Sequence, residues 1–234
     1  MRKDIISKIH SYIREGRRAS RGATTAPEFV SKWQCKEYLR MESILLTKKL
    51  PGISLADALG KRASHQKEAG LHTLSLAELS TLLSPLSQKD GSAYRYYPSG
   101  GALYPIETYI IGSFEGNENT VCHYNPKAHS LEKLWSMSEK LELSDLFKLN
   151  DPSKKPQAAI VFTAVWDRSA KKYGDFAYNL ALIEAGHMAQ NVLLAATEPD
   201  IKVCPIGGFV DTFVHELLDL RNITEQAVYC AVIY

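Results

Sequence analysis

Residues 94–107 read Tyr94-Arg-Tyr-Tyr-Pro-Ser-Gly-Gly-Ala-Leu-Tyr-Pro-Ile-Glu107. Gly100-Gly101 lets the backbone approach a flat ligand closely and present N–H groups to it. Ser99 adds a hydroxyl donor beside the glycines, and Pro98 and Pro105 stiffen the two ends. A tight turn between a helix and a strand is the plainer reading. A turn alone, however, does not need six small or ring-constrained residues in succession. Upstream, Leu74–Leu86 has helical spacing with Ser75 as its N-cap. Downstream, Ile106–Ser113 is rich in β-branched residues and reads as a strand.

Further along, Val121–Tyr124 reads as a second strand ending in the Asn125-Pro126 turn, with Ser130–Trp135 as its partner. Residues 136–148 read as helical. Ala158–Trp166 is a nearly continuous apolar run that suits a central buried strand. Asp175–Glu198 is the longest helical pattern, and Val228–Tyr234 reads as a last strand. Helices, then strands, helices and a late strand make the class α+β. Toward the N-terminus, Ser54 caps a short helix in a capping-box pattern with Asp57, after a Pro51-Gly52 turn. Gly22–Pro27 looks like a flexible connection. Ile5, Ile6, Ile9 and Ile13 make residues 4–16 an amphipathic helix inside a strongly basic stretch, 1–40. That stretch reads as a solvated helix docked on the body or as a contact surface for a partner protein or acidic peptide.

The chain has 234 residues, enough for one domain with an appended segment. Apolar residues make up 45% and charged residues 23%, and the net charge of +2 demands no nucleic-acid partner. No apolar run approaches the ~18–20 residues of a membrane span, and the charged start lacks a signal-peptide core. Four cysteines, Cys35, Cys122, Cys204 and Cys230, are scattered without a CxxC pair, which argues against a zinc site and a disulfide framework. The expectation is a reduced, cytoplasmic protein.

Three further segments carry chemistry. In helix 175–198 the polar residues Glu184, His187 and Asn191 cluster, with Glu184 and Asn191 about 20° apart around the axis. They read as a satisfied core network or as groups facing a ligand. A metal site there lacks a third ligand at a matching spacing. Asp167-Arg-Ser-Ala-Lys-Lys-Tyr-Gly174 follows the apolar strand as a loop, where Lys172 and Tyr173 suit a base and an acid. A Lys-Lys-Tyr loop by itself is ordinarily just solvated. Val203-Cys-Pro-Ile-Gly-Gly-Phe209 places a second glycine pair before a helix over 211–220, whose start suits an anion or an electron-rich ring atom.

These segments, in this order, resemble the nitroreductase-like flavoproteins, and more narrowly the SagB/ThcOx-type peptide dehydrogenases of azole-forming synthetases. The likeness covers roughly residues 55–234. The resemblance implies a homodimer with a central antiparallel sheet flanked by helices and FMN at the subunit interface. It divides the chain into a basic, largely helical extension (1–53) and an FMN domain (54–234). It implies FMN contacts from Arg62, Ser64 and Gln66; from Pro98, Ser99, Gly100, Gly101 and Ala102; from Gln190 and Asn191; and from Ile206, Gly207 and Gly208. In the family's Arg-Arg-Ser-x-Arg phosphate motif, Ala63 and Gln66 stand where arginines are usual. Lys172-Tyr173 matches the pair assigned as catalytic in azoline oxidation.

The implied activity is oxidation of thiazoline or oxazoline rings in a ribosomally made peptide, with a cyclodehydratase and the precursor peptide as partners. An NAD(P)H-dependent nitroreductase or flavin reductase of the same fold, or an FMN-holding scaffold subunit, stands as the alternative.

Overall fold

The computed structural model describes residues 2–20, 35–64, 73–147, 149, 155–220 and 224–234. Its centre is a seven-stranded antiparallel sheet ordered β1-β4-β3-β2-β5-β7-β6. The strands are β1 (Glu42–Leu45), β2 (Ile106–Phe114), β3 (Asn117–Asn125), β4 (Ser130–Ser136), β5 (Ala158–Val165), β6 (Val203–Ile206) and β7 (Glu225–Ile233). The helices are α1 (Arg2–Ser20), α2 (Leu55–Lys61), α3 (Leu76–Leu83), α4 (Leu143–Leu146), α5 (Asp167–Tyr173), α6 (Phe176–Ala195) and α7 (Asp211–Leu217). The α+β expectation holds. β1, from the segment before residue 54, is an edge strand of the same sheet, paired to β4 from Glu42↔Lys133 to Leu45↔Ser130.

β2 and β5 pair with each other at the centre, from Ile106↔Ala164 to Gly112↔Ala158. Alternation sends Ile110, Ile160 and Phe162 to one face, under α3 and α6. Tyr109, Ile111, Val161 and Val232 go to the other, with Phe147, Phe209 and Val214 of α7. α6 lies on the first face through a stripe of small residues, Ala177, Ala181, Ala185 and Ala189, all buried. Its outer side exposes Tyr178, Leu182 and Ile183.

Local signals explain most helix boundaries. Ser75 and Glu78 form a complete capping box at the start of α3. Ser54 accepts the Asp57 N–H at the start of α2. Two expectations are corrected. Residues 136–148 are not one helix: β4 runs on to Ser136, and only the single turn α4 follows, capped by Glu142 and Asp145. Residues 167–173 are not a loop but helix α5. Asp167 in its first turn and Lys171 and Lys172 in its last complement the helix dipole, and Gly174 (φ +53°) ends it.

A charged cluster is buried on the α7 face of the sheet. His123 Nδ1 lies 2.8 Å from Glu132, and its Nε2 lies 2.8 Å from Glu107. Arg168 also pairs with Glu107, and Lys36 pairs with Glu225 and donates to Tyr109 Oη. Burial pushes the Glu107 carboxyl up, but His123 and Arg168 pull it down to about 2. Burial pushes His123 down, and its two carboxylate partners raise it above the ordinary imidazole value.

Candidate active site

Residues 100–102 form a single 3₁₀ turn, and the chain around it lies in the left-handed region at Gly101 (φ +66°), Ala102 (φ +56°) and Tyr104 (φ +47°). Two of these are not glycine, so the loop stores strain of about 1 kcal/mol per residue and needs outside support. Tyr104 supplies the anchor points. Its N–H donates to Ser99 Oγ at 2.9 Å, and its hydroxyl accepts the Arg95 N–H at 3.0 Å. Its carbonyl accepts from Arg168 Nη1 at 3.1 Å. The buried Arg95 guanidinium lies 4.5 Å from the Tyr104 ring centre and donates to Tyr97 Oη at 2.6 Å.

α5 connects the loop to the catalytic candidates. Arg168 and Lys172 are four residues apart, so they share one helix face. Arg168 grips the end of the loop, and Lys172 reaches its middle. A Cβ built on Gly101 would lie 2.9 Å from Lys172 Nζ and 2.7 Å from Tyr173 Oη. The two side-chain heads thus converge on the bare backbone of Gly101, with Lys172 Nζ 5.2 Å from the Tyr173 ring centre. Gly100 rests on α6, where its Cβ would meet Leu180 Cδ1 at 3.1 Å. Pro98 is exposed; Ser99 and Gly100 are half-buried; Gly101 and Ala102 are exposed.

The other assigned residues are spread more widely. Glu184 of α6 is buried behind the loop, and neither carboxylate oxygen completes a hydrogen bond. Burial pushes its carboxyl up to about 7 against the pull of Ser99, Arg95 and Arg168. Gln190 is exposed, and Asn191 donates to the Pro85 carbonyl at 3.3 Å. Asn191 and Tyr96 face a groove of about 270 Å³ between α2 and α6, walled by Leu55, Ala58 and Leu194. Gly207 is exposed and Gly208 half-buried, directly after β6. The Ile206 carbonyl accepts from Cys230 Sγ, and Phe209 pairs with Phe147, which fixes both ends of that second glycine turn. α7, beginning with Asp211, has only seven residues, which leaves the turn's own N–H groups as the donors there.

Arg62 follows α2 and is half-buried, Ser64 is exposed, and Gln66 lies outside the described residues. The Arg62 side chain has no hydrogen-bond or ion-pair partner among the described residues. Its neighbours Lys61 and Ala63 line a groove of about 250 Å³ opposite Thr197 and Lys202. The structure therefore brings Ser99, Gly100, Gly101, Lys172 and Tyr173 together, and places Arg62 and the second glycine turn elsewhere on the same chain.

Sequence reading missed Arg95, Arg168 and Glu107. The Arg168–Lys172 spacing was the available signal, hidden by the reading of α5 as a loop.

The nitroreductase family model matches residues 68–234. The microcin B17-processing protein McbC of Escherichia coli is 34% identical over 154 residues, 61% of this chain and 55% of that protein. A Methanocaldococcus jannaschii protein with a provisional nitroreductase name is 31% identical over 174 residues, 73% of this chain and 86% of that protein. This chain thus spans about half the length of the microcin-processing relative. Among solved structures, the E. coli microcin synthetase McbBCD complex with truncated pro-MccB17 bound contains a chain of the same fold. Its TM-score is 0.63 at 24% identity, covering 99% of this chain and 92% of that one.

Proposed function

We propose that this chain, which belongs to the nitroreductase family, is an FMN-dependent dehydrogenase that oxidises azoline rings to azoles in a ribosomally made peptide. The observation that carries the reading is the convergence of Lys172 Nζ and Tyr173 Oη on Gly101. A nitroreductase needs a flavin shelf but no protein base beside it. An azoline dehydrogenase needs both.

The residues present fit FMN. Gly100 and Gly101 leave a backbone ledge with no side chain between a flat ring and the Lys-Tyr pair. Arg62 offers a guanidinium that no described residue engages, beside Lys61, which suits the phosphate of FMN. When bound, FMN supplies the two-electron acceptor for the hydride that leaves the substrate ring. The backbones of Ser99–Ala102 and Ile206–Gly208 would line the ring, and Gln190 would approach from α6. Asn191 would do so after releasing the Pro85 carbonyl.

The ring carbon that bears the peptide carbonyl carries the acidic proton. Lys172 Nζ takes that proton, and Tyr173 Oη, at the same point of the loop, orients the ring and shares the proton. Arg168 holds α5 against Tyr104, so the base keeps its place over the glycines. Aromatisation supplies the driving force, which leaves the protein the tasks of positioning and proton removal.

The reading extends to partners. The relative McbC is named for processing microcin B17, and the McbBCD structure holds truncated pro-MccB17. We accordingly assign this chain a cyclodehydratase and a precursor peptide as partners, in the cytoplasm. No helix among the described residues is long and apolar enough to cross a membrane. The exposed Tyr178, Leu182 and Ile183 on α6 favour a homodimer that covers them. Light scattering giving a dimer supports this, and a monomer with FMN bound contradicts it.

The M. jannaschii relative, matched over most of its length, favours the second reading, an NAD(P)H-dependent nitroreductase. Anaerobic mixing with NAD(P)H separates the two. The proposed dehydrogenase, whose hydride comes from the azoline ring, keeps its flavin oxidised. Rapid stoichiometric bleaching of the yellow band selects the nitroreductase.

A further inference from the structure

Glu107 is 1% exposed on β2, at the centre of the sheet, where it pairs with Thr163 of β5. Three groups converge on its carboxylate. The Lys36 N–H donates to Oε1 at 2.7 Å, Arg168 Nη2 binds the same oxygen, and His123 Nε2 lies 2.8 Å from Oε2. Taking a carboxylate out of water costs several kcal/mol, and well-packed apolar side chains often serve a core as well as a buried ion pair does. A charge kept at this place points to a use other than stability.

Arg168 supplies that use. Its planar fork puts Nη2 on Glu107 and Nη1 on the Tyr104 carbonyl, 3.1 Å away. Tyr104 and Glu107 are three residues apart on one segment, the run from the glycine turn into β2. A single bond at Tyr104 would leave α5 free to pivot about it, and the second bond, at Glu107, fixes the angle. The Val165 N–H, donating to the Pro105 carbonyl at 2.9 Å, ties the chain that enters α5 to the same segment. From Arg168, four residues or about 6 Å of helix lead to Lys172. A small pivot at the root therefore sweeps Lys172 Nζ and Tyr173 Oη across Gly101. Glu107 is itself held from outside this segment. Lys36 belongs to the stretch ahead of residue 54, and its Nζ pairs with Glu225, which accepts from Thr163 Oγ1 at 2.6 Å.

We propose that Glu107 is a positioning residue for the Lys172–Tyr173 pair: its carboxylate sets the angle of α5 through Arg168, and the backbone at Lys36 holds that carboxylate in place. The proposal rests on the reading of Lys172 as the base and adds a residue that acts on it only through Arg168. The reach of the Glu107 side chain matters more than its charge, because the guanidinium fork needs an acceptor at a fixed point.

Two substitutions separate reach from charge. Glu107→Asp keeps the charge and draws the acceptor back by one methylene, whereas Glu107→Gln keeps the reach and loses the charge. The first readout needs no activity. It is the Gly101 amide signal in the magnetic resonance spectrum of the whole chain labelled with nitrogen isotope in glycine, identified by its loss in Gly101→Ala. Both side-chain heads lie against this backbone, so the signal reports their place. Glu107→Asp should displace it, and Glu107→Gln should displace it less. With an azoline peptide, Glu107→Asp should lower kcat by up to about 10²-fold, the cost of ~1 Å of misplacement, at unchanged KM and with FMN retained. Arg168→Lys keeps a cation beside Glu107 but cannot make both bonds of the fork. It should displace the same signal, and it decides the matter if Glu107→Asp does not fold. Glu132→Gln removes a charge from the same buried cluster on β4, two strands from β2, and should lower the melting temperature with the Gly101 signal in place. An unmoved Gly101 signal in folded Glu107→Asp and Arg168→Lys overturns the proposal. So does an equal displacement in Glu132→Gln, or a larger one in Glu107→Gln than in Glu107→Asp. If the unaltered chain binds FMN and oxidises no azoline while Glu107→Asp displaces Gly101, the base reading is overturned and the positioning stands.

Discussion

Tyr173 Oη stands where a side chain on Gly101 would begin: a Cβ there would lie 2.7 Å away. The obstructing atoms, Tyr173 Oη and Lys172 Nζ, are the far ends of side chains that can swing aside. Gly101→Ala is therefore expected to fold, to lose about 1 kcal/mol for its left-handed backbone, and to displace the Lys-Tyr pair. Gly91→Ala is the control, since Gly91 has the same φ of +66° with nothing within 4 Å of a Cβ. Thermal melts should show similar losses for both variants, while only Gly101→Ala loses azole formation. Equal activity in the two variants would detach the pair from the loop.

Lys172→Ala and Tyr173→Phe should each keep the yellow colour and slow azoline oxidation by ~10²–10⁴-fold, the usual cost of a lost positioned base. The double variant should be little worse than the slower single one, because the two groups act as a unit. Lys171 is exposed on the neighbouring face of α5, and its replacement should be nearly silent. Native rates in Lys172→Ala would move the base to another group.

The Glu107–His123–Glu132 cluster sets a pH window for stability. Glu107 and Glu132 have lowered pKa values in the fold. Their contribution is complete above the ordinary carboxylate value of about 4.3 and is lost as pH falls, for Glu107 through about 2. His123 is raised, so its contribution is complete below about 6.5 and fades as pH rises through its folded value. Denaturant midpoints should be highest between those limits. His123→Gln should cost about 3 kcal/mol by leaving buried carboxylates short of a partner and should flatten the alkaline limb. An unchanged alkaline limb would show that His123 is not charged in the fold.

Arg62→Ala should weaken FMN binding by roughly 1.5–3 kcal/mol, the worth of a hydrogen bond to a charged group. Equilibrium dialysis reads the change directly. Undiminished retention would assign the phosphate to Lys61 or another cation.

β2, β3, β4, β5 and β7 were legible from β-branched or apolar runs, whereas the four-residue edge strands β1 and β6 are too short to carry a pattern. α3 was legible because Ser75 and Glu78 carry a complete cap. The loop was legible as a ligand shelf from its glycines and prolines. α5 was not, because its seven residues lack an apolar stripe and are set by charge placement and Gly174. The support around Tyr104 was not legible either. Arg95 and Arg168 reach it from 9 and 64 residues away in sequence, and only the β2–β5 pairing brings them together. The histidine cluster arises likewise from cross-strand neighbours whose register the sequence does not mark.

The most direct test of the central claim is mass spectrometry of a cyclised, azoline-containing precursor peptide incubated with this chain, FMN and dioxygen. The account predicts the loss of two hydrogens per ring, dependent on FMN and on Lys172. An unchanged peptide mass from flavin-loaded, folded protein, supplied with its cyclodehydratase, would contradict it.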